Sequence, residues 1–341
     1  MNKHPLVSII TPVFNQKIYF EQTIRSVLSQ TYQNWEWIIL DDGSTDGTGE
    51  IIKDCKDSRI QYIFQENAGI SRLTKTYNKA LQKCNGELIA MLDHDDYWPD
   101  YKLGVQVKHF NDPTVVLSYG ECWIVNHQGK RISFWRLQED TSIANNDPVG
   151  SSLKGFFFKR YSFIPNLTVM VRRAVLQKIG GFVEAKDMYH DFPTWLQFAL
   201  EGKFSSVPVC LGYYRKHPSA VTFDSNQELR INVRINFFRE FLFRNKTKLN
   251  ELGFFYDIEM IENYWEGIKR EHIHFDPYNK SLLMLKLGLF KEAQSNFQQF
   301  LGNEPSSKNR LIHSLLMISK FFNYDIVNPV ANLKERLWKY F

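Results

Sequence analysis

The sequence lacks long hydrophobic runs. Although 43% of its 341 residues are hydrophobic, no stretch approaches the roughly 20 apolar residues of a membrane-spanning helix. Residues 1–5 lead into a strand-like segment and contain no apolar core of a signal peptide. We therefore expect a folded protein that stays on the cytoplasmic side of the membrane.

Cysteine is also scarce, and its spacing excludes the common metal and redox motifs. The four cysteines are Cys55, Cys84, Cys122 and Cys210. None forms a CxxC pair, so a zinc site or a thioredoxin-like motif is not indicated. Reduced structural thiols in a cytosolic protein fit this spacing.

A strong excess of one charge is absent as well. The 42 Lys and Arg residues are nearly balanced by 37 Asp and Glu residues, which leaves a net charge of +5. This balance gives no indication of nucleic-acid binding, so we expect no nucleic-acid partner.

Glycine is missing from the turn after the first predicted strand, where residues 12–17 are PVFNQK. A Rossmann dehydrogenase places GxGxxG there, so that class is disfavoured. A sugar nucleotidyltransferase, which also combines such a sheet with metal-binding aspartates, usually needs a glycine-rich loop for its triphosphate. The nucleotidyltransferase remains a second alternative.

Short apolar runs alternate with amphipathic stretches throughout the first 125 residues. The runs predict strands at residues 7–11, 35–40, 59–64 and 88–92. Helical spacing lies between them, which predicts a mostly parallel Rossmann-like sheet flanked by helices. Such sheets bind ligands at the carboxyl ends of their strands, so the loops there are expected to form a site.

Beyond residue 125 the periodicity changes twice. Further strands are predicted at 115–125, 167–171 and 207–214, with short helices at 174–179 and 194–200, whereas 126–165 looks irregular and substrate-facing. After residue 225 only helical spacing remains. We expect a catalytic domain at 1–225, with a nucleotide-binding part (1–125) and an acceptor-side part (126–225), followed by a helical appendage at 226–341.

A dense acidic motif, Asp93-His94-Asp95-Asp96, directly follows the predicted strand at 88–92. Hard divalent cations take oxygen ligands, and Mn²⁺ or Mg²⁺ bound here would offset the repulsion between carboxylates while gripping a diphosphate. The alternative is a solvated acidic turn before Pro99.

A second acidic cluster, Asp41 to Asp46, follows the strand at 35–40. Asp46 precedes a predicted helix and is expected to cap it. Asp42 has a smaller structural task in view, and we expect it to accept hydrogen bonds from a base or ribose.

Together these segments resemble the family 2 inverting glycosyltransferases of GT-A fold. The ordered motifs are VSIITPVFN at 7–15, IILDDGSTD at 38–46, NAG at 67–69, GELIA at 86–90 and LDHDD at 92–96. The resemblance covers about the first 220 residues. It implies that Thr11 and Asp42 line the nucleoside pocket, that Arg72 approaches the base or phosphates, and that Asp95, with Asp93 nearby, binds the metal. Lys75 is an alternative to Arg72.

The acceptor-side motif of the family appears as YHDFPTWL at residues 189–196. Many relatives carry Glu-Asp where this chain has His190-Asp191, so the resemblance implies that Asp191 is the general base and leaves His190 unmatched. Capping the following helix is the alternative role for Asp191. Downstream, YRKHPS at 214–219 implies His217 as a secondary metal ligand, although a histidine before proline is also an ordinary turn residue.

The resemblance implies transfer of a sugar from a nucleoside-diphosphate-sugar, with UDP as the expected nucleotide, to a hydroxyl of a glycan or lipid-linked glycan. The product would belong to a surface polysaccharide such as lipopolysaccharide, O-antigen or capsule. The alternative is a non-catalytic assembly subunit, with a protein partner or self-association through the helical region, where residues 288–305 partly resemble a tetratricopeptide repeat. Aromatic and basic residues at 331–341 predict peripheral contact with an anionic membrane surface, and docking on the chain's own domain is the alternative.

Overall fold

The computed structural model describes residues 4–159, 162–186, 188–217, 220, 227–273, 284–285, 293–295 and 297. These residues form two compact units. The first draws its described residues from 1–124, 133–214 and 229–265, and the second from 125–132, 215–228 and 266–341. No helix in the described ranges is long and apolar enough to cross a membrane. The segment predicted to contact a membrane, 331–341, lies outside them, and the domain boundary near residue 225 stays a prediction.

Within the described residues, eight strands form one sheet. They are β1 (Val7–Val13), β2 (Trp35–Asp41), β3 (Ile60–Phe64), β4 (Leu88–Met91), β5 (Val115–Val125), β6 (Arg131–Trp135), β7 (Met170–Arg172) and β8 (Lys203–Arg215). The order across the sheet is β3-β2-β1-β4-β7-β5-β6, with β8 paired to β5. The predicted sheet flanked by helices is confirmed.

Helices connect these strands. They are α1 (Lys17–Leu28), α2 (Thr48–Asp54), α3 (Leu73–Leu81), α4 (Lys102–Val107), α5 (Thr141–Asn145), α6 (Ser152–Phe158), α7 (Arg173–Lys178), α8 (Asp191–Phe198), α9 (Gln227–Arg244), α10 (Lys246–Glu251) and α11 (Ile258–Ile273). The prediction that residues 126–165 are irregular is wrong, because they contain β6, α5 and α6. The turn residues that dominate its sequence separate short elements instead of forming one long loop.

The parallel half of the sheet is buried on both faces, which explains its nearly continuous apolar strands. β1 is buried at all seven positions and pairs in parallel with both β2 and β4. On one face, α1 packs its Phe20 ring against the Trp37 ring at a centroid distance of 5.9 Å. Burying each such side chain contributes on the order of 1.5–3 kcal/mol, so this layer fixes the carboxyl ends of the parallel strands.

β7 interrupts the parallel order, because it pairs antiparallel with β4 on one side and with β5 on the other. The strand predicted at 167–171 begins later in the structure. Residues Asn166–Thr168 form a 3₁₀ turn, and the strand begins at Met170. That turn brings Asn166 to the edge of the sheet where β4 ends.

Glu36 holds together the opposite, amino edge of the sheet. Its Oε1 accepts hydrogen bonds from Ser8 Oγ at 2.6 Å and from the Asn85 and Gly86 amides at 2.5 and 3.2 Å. Burial is the largest single influence and raises the pKa of Glu36, but the hydrogen bonds together outweigh it and lower the pKa.

Replacing Glu36 with glutamine is expected to lower the free energy of unfolding by about 1–3 kcal/mol at neutral pH, because amide donors lose a charged acceptor. The folded pKa lies below the unfolded one, so this stabilisation is present above the unfolded pKa and is lost as pH falls through the folded pKa. Urea denaturation at neutral pH and at successively lower pH checks this. Equal stabilities of the two proteins at neutral pH would contradict it.

Candidate active site

The carboxyl ends of β1, β2 and β4 are tied to one another by backbone contacts. The Asp42 amide donates to the Val13 carbonyl at 2.8 Å, and His94 Nδ1 lies 3.0 Å from the Pro12 carbonyl oxygen. Thr23 of α1 donates from Oγ1 to the Asp96 carbonyl at 2.7 Å. These contacts place the two acidic segments predicted from the sequence at one edge of the sheet.

The first two aspartates of the IILDDGSTD segment have different tasks. Asp41 is fully buried and accepts from the Ser44 amide and the Tyr62 hydroxyl, both at 2.8 Å. Asp42 Oδ1 accepts from Gln65 Nε2 at 2.5 Å and from the Ala68 amide at 3.0 Å. In the described part of the chain Asp42 Oδ2 takes part in no hydrogen bond, so it can accept one from a ligand.

Asp46 acts as expected at the start of α2. Its Oδ1 accepts from the Thr48 amide at 3.0 Å, while Oδ2 accepts from the Lys17 amide at 2.9 Å. Asp46 therefore joins the first turns of α1 and α2 and has a structural role.

The other two residues assigned to the nucleotide occupy opposite environments. Thr11 is fully buried, and its Oγ1 accepts from Trp37 Nε1 at 2.9 Å, so its side chain supports the sheet. Arg72 ends a 3₁₀ turn, Ile70–Arg72, and is exposed, with no ion pair to its guanidinium in the described ranges. Both assignments to the nucleotide stay predictions.

Asp93 lies at the centre of a hydrogen-bonded cluster. Its Oδ1 accepts from the Tyr77 hydroxyl at 2.6 Å, and its Oδ2 accepts from Asn166 Nδ2 at 3.4 Å. Burial, followed by the nearby charge of Asp95, raises the pKa of Asp93 against the opposing effect of the Tyr77 bond. A raised carboxyl pKa beside a second carboxylate indicates a place where a cation would be favourable.

The pKa of the buried Tyr77 phenol is affected by several of the predicted acids. Burial raises its pKa well above the ordinary value, and the charges of Asp93, Asp191 and Asp95 raise it further. An electrostatic influence of this kind requires proximity. The structure therefore brings the predicted metal ligands and the predicted base within electrostatic reach of one side chain.

Asp191 is the first residue of α8, and His190 precedes it in the N-cap position. The positive end of the helix dipole favours a negative charge in that turn. α9 supports this helix from behind, since Phe238 packs against Phe192 at a centroid distance of 5.9 Å. Asp191 therefore lies on a fixed element and not on a loop.

His190 is 3% exposed and packs its ring against that of Tyr77, with centroids 3.8 Å apart. Burial lowers the pKa of His190 to about 4, although the charge of Asp93 opposes the shift, so its imidazole is neutral. Sequence patterns did not identify Tyr77 or Asn166. Tyr77 has the spacing of an ordinary core aromatic, and its partner Asp93 becomes visible only in three dimensions.

No group of three or more His, Cys, Asp or Glu residues in the described ranges could hold a metal ion unaided. His217, the secondary ligand predicted from the sequence, is buried and belongs to the second compact unit. Its assignment to a metal stays a prediction.

Comparison with protein families gives a match to the profile described as Glycosyl transferase family 2, over residues 8–180. A relative in Bacillus subtilis, named putative teichuronic acid biosynthesis glycosyltransferase TuaG, is 31% identical over 221 residues, which cover 63% of this chain and 80% of TuaG. An Escherichia coli relative is named UDP-Glc:alpha-D-GlcNAc-diphosphoundecaprenol beta-1,3-glucosyltransferase WfaP. It is 33% identical over 231 residues, which cover 66% of this chain and 82% of WfaP.

Among solved structures, residues 1–349 of TarS from S. aureus in complex with UDP-GlcNAc superimpose with a TM-score of 0.56. The sequence identity is 18%, and the match covers 96% of this chain and 92% of that one. A second crystal structure of the same TarS fragment gives a TM-score of 0.55 at 17% identity, covering 96% of this chain and 91% of that one. At this identity the likeness concerns the fold.

Proposed function

The chain belongs to glycosyl transferase family 2 and is a glycosyltransferase, and from that premise we propose a metal-dependent transfer of one sugar with inversion at its anomeric carbon. The proposed donor is a UDP-sugar, and the proposed acceptor is a hydroxyl of a lipid-linked glycan in surface polysaccharide assembly. The name of WfaP, which specifies a UDP donor and a diphosphoundecaprenol acceptor, supports both choices.

The observation that carries the proposal is the cluster around Tyr77. Its hydroxyl donates to Asp93 at 2.6 Å, and Asp95 and Asp191 both act on the pKa of its phenol. A donor site and a base that serve one displacement must lie within reach of one sugar. The closeness of these residues, which the sequence motifs single out, supports that arrangement.

Asp93 and Asp95 fit a divalent cation by their chemistry. Both supply carboxylate oxygens, and burial together with the nearby charge of Asp95 raises the pKa of Asp93, as expected of two neighbouring carboxylates that a cation would stabilise. Two acids are too few to bind Mg²⁺ or Mn²⁺ alone, which agrees with a cation that also takes ligands from a diphosphate. When bound, the ion would stabilise the negative charge of the departing nucleotide.

We assign the proton transfer to Asp191. A carboxylate at the start of α8 accepts the proton of the acceptor hydroxyl as its oxygen attacks the anomeric carbon. The bond between the anomeric carbon and the diphosphate oxygen breaks as the new glycosidic bond forms, and the electron pair leaves with the UDP. Attack from the face opposite the leaving group gives inversion without a covalent enzyme intermediate.

Calorimetric titration with UDP, GDP, CDP and dTDP, each with and without Mn²⁺, is expected to show metal-dependent binding of UDP. Asp42 Oδ2 would accept a hydrogen bond from the nucleoside. Preferred binding of another diphosphate would correct the base while retaining the donor site. Absence of binding by every nucleotide would favour the assembly-subunit alternative.

We propose that residues 226–341 form a helical region appended to the catalytic domain at 1–225. We also propose that residues 331–341 bring the enzyme to an anionic membrane surface. Equal flotation with liposomes by the full chain and by a variant lacking 331–341 would contradict the second proposal.

A further inference from the structure

Two polar groups beside Asp93 are buried without a hydrogen bond. Neither ring nitrogen of His190 has a partner among the described residues, although the side chain is only 3% exposed. Oδ1 of Asn166 is likewise buried and unpaired in that part of the chain. Leaving a buried donor or acceptor unpaired costs free energy, so such groups are rare in native proteins and call for a physical reason.

Both groups converge on the same carboxylate. Asn166 donates from Nδ2 to Asp93 Oδ2, while the His190 ring covers the face of Tyr77, whose hydroxyl donates to Asp93 Oδ1. The charge of Asp93 also acts on the imidazole of His190. The unpaired groups therefore flank one end of the candidate site from two different elements, the 166–168 turn and the residue that precedes α8.

Their position follows from the geometry of a displacement. In a single displacement the sugar ring lies between the departing diphosphate and the attacking hydroxyl. In the proposed function Asp93 and Asp95 hold the diphosphate through the cation, and Asp191 accepts the proton of the hydroxyl. His190 adjoins Asp191 in the chain and Asn166 contacts Asp93, so each lies next to one of the two groups that the sugar would join. This step rests on the proposed function.

We propose that His190 and Asn166 bind hydroxyl groups of the transferred sugar and thereby help to select the donor. A neutral imidazole offers one N–H donor and one nitrogen acceptor, and the Asn166 amide oxygen accepts a hydroxyl proton. This pair suits neighbouring hydroxyls of a sugar ring. The 3.4 Å contact between Asn166 and Asp93 is long for a hydrogen bond, so it holds the amide only weakly.

The test compares sugar nucleotides with the corresponding nucleotides in the full-length protein. Calorimetry with Mn²⁺ would measure UDP-glucose, GDP-mannose and dTDP-rhamnose against UDP, GDP and dTDP for the wild type, His190→Phe and Asn166→Ala. Phenylalanine keeps an aromatic ring against Tyr77 and removes both nitrogens. Each variant is expected to bind the preferred sugar nucleotide about 5–20-fold more weakly, while its affinity for the bare nucleotide stays unchanged.

A matched histidine separates this role from a purely structural one. His109 pairs its Nδ1 with Ser205 Oγ at 2.8 Å, so His109→Phe should lower the melting temperature and leave sugar selection unchanged. His190→Phe should instead keep or raise the melting temperature, because it removes two unpaired buried nitrogens. The melting temperatures also show whether each variant is folded.

The binding results test the sugar-binding role of His190 and Asn166 separately from the proposed function. Variants that weaken nucleotide and sugar nucleotide equally, or neither, would overturn the sugar-binding role and leave the proposed function standing. A wild type that binds no nucleotide and no sugar nucleotide would overturn both.

Discussion

Replacing Asp191 with asparagine is expected to reduce the turnover number for sugar transfer by about 10²–10⁴-fold. Asparagine has nearly the same shape as aspartate but cannot take the acceptor's proton. Asp191 begins α8, so the substitution keeps the helix and its contacts with α9. The loss should fall on the chemical step and not on the assembly of the site.

Binding measurements make this prediction specific. The Asp191→Asn variant should bind UDP with Mn²⁺ as tightly as the wild type, because Asp93 and Asp95 supply the cation ligands in the proposal. Asp140→Asn is the matched control: Asp140 caps α5 through the Ser142 and Ile143 amides, at 3.0 and 3.3 Å. That variant should lose some stability and retain turnover, whereas full activity of Asp191→Asn would refute the assigned base.

Replacing Asp95 with alanine is expected to weaken Mn²⁺-supported UDP binding by roughly 10²-fold or more, since a metal ligand can supply several kcal/mol. The change removes one of two carboxylates that the proposal places on the cation. It should affect substrate affinity and turnover together, in contrast to the Asp191 variant. Calorimetry with Mn²⁺ varied at fixed UDP would measure it.

A neighbouring aspartate provides the control for charge. Asp100 is exposed and lies on the same segment, so Asp100→Ala removes the same charge without touching the cluster around Tyr77. Its UDP affinity should equal that of the wild type. Equal losses in Asp95→Ala and Asp100→Ala would point to a general electrostatic effect and exclude a specific ligand.

The sheet could be predicted largely from sequence because its parallel strands are buried on both faces. Residues such as Ile9 and Ala90 belong to continuous apolar runs, and the strand at Val115–Val125 was predicted with its observed bounds. The short helix α6 was not predicted, because its local sequence does not determine its structure. α6 contains Gly155 and follows turn residues, so its local sequence favours a loop. Tertiary packing of the buried Phe156 and Phe157 stabilises the helix instead.

Some residues of the candidate site could likewise be predicted from the sequence, and others could not. Its acidic residues could be located because Asp93 and Asp95 follow a strand and Asp191 begins a helix, each in a recognisable motif. The structure places all three within electrostatic reach of one phenol. Tyr77 and Asn166 could not be found, because 16 residues separate Tyr77 from Asp93 and 73 separate Asn166 from it. No local pattern encodes such a meeting.

The position of β7 has a consequence for synthesis of the chain. β7 lies between β4 and β5 in the sheet, yet it is translated after both of them. At roughly 5–20 residues per second, β4 must wait several seconds for its neighbour on that side. During that interval its unpaired backbone groups can template aggregation. Asn166 and Asp191 lie close to β7 in the sequence, so these two residues and the strand that protects the sheet emerge from the ribosome close together.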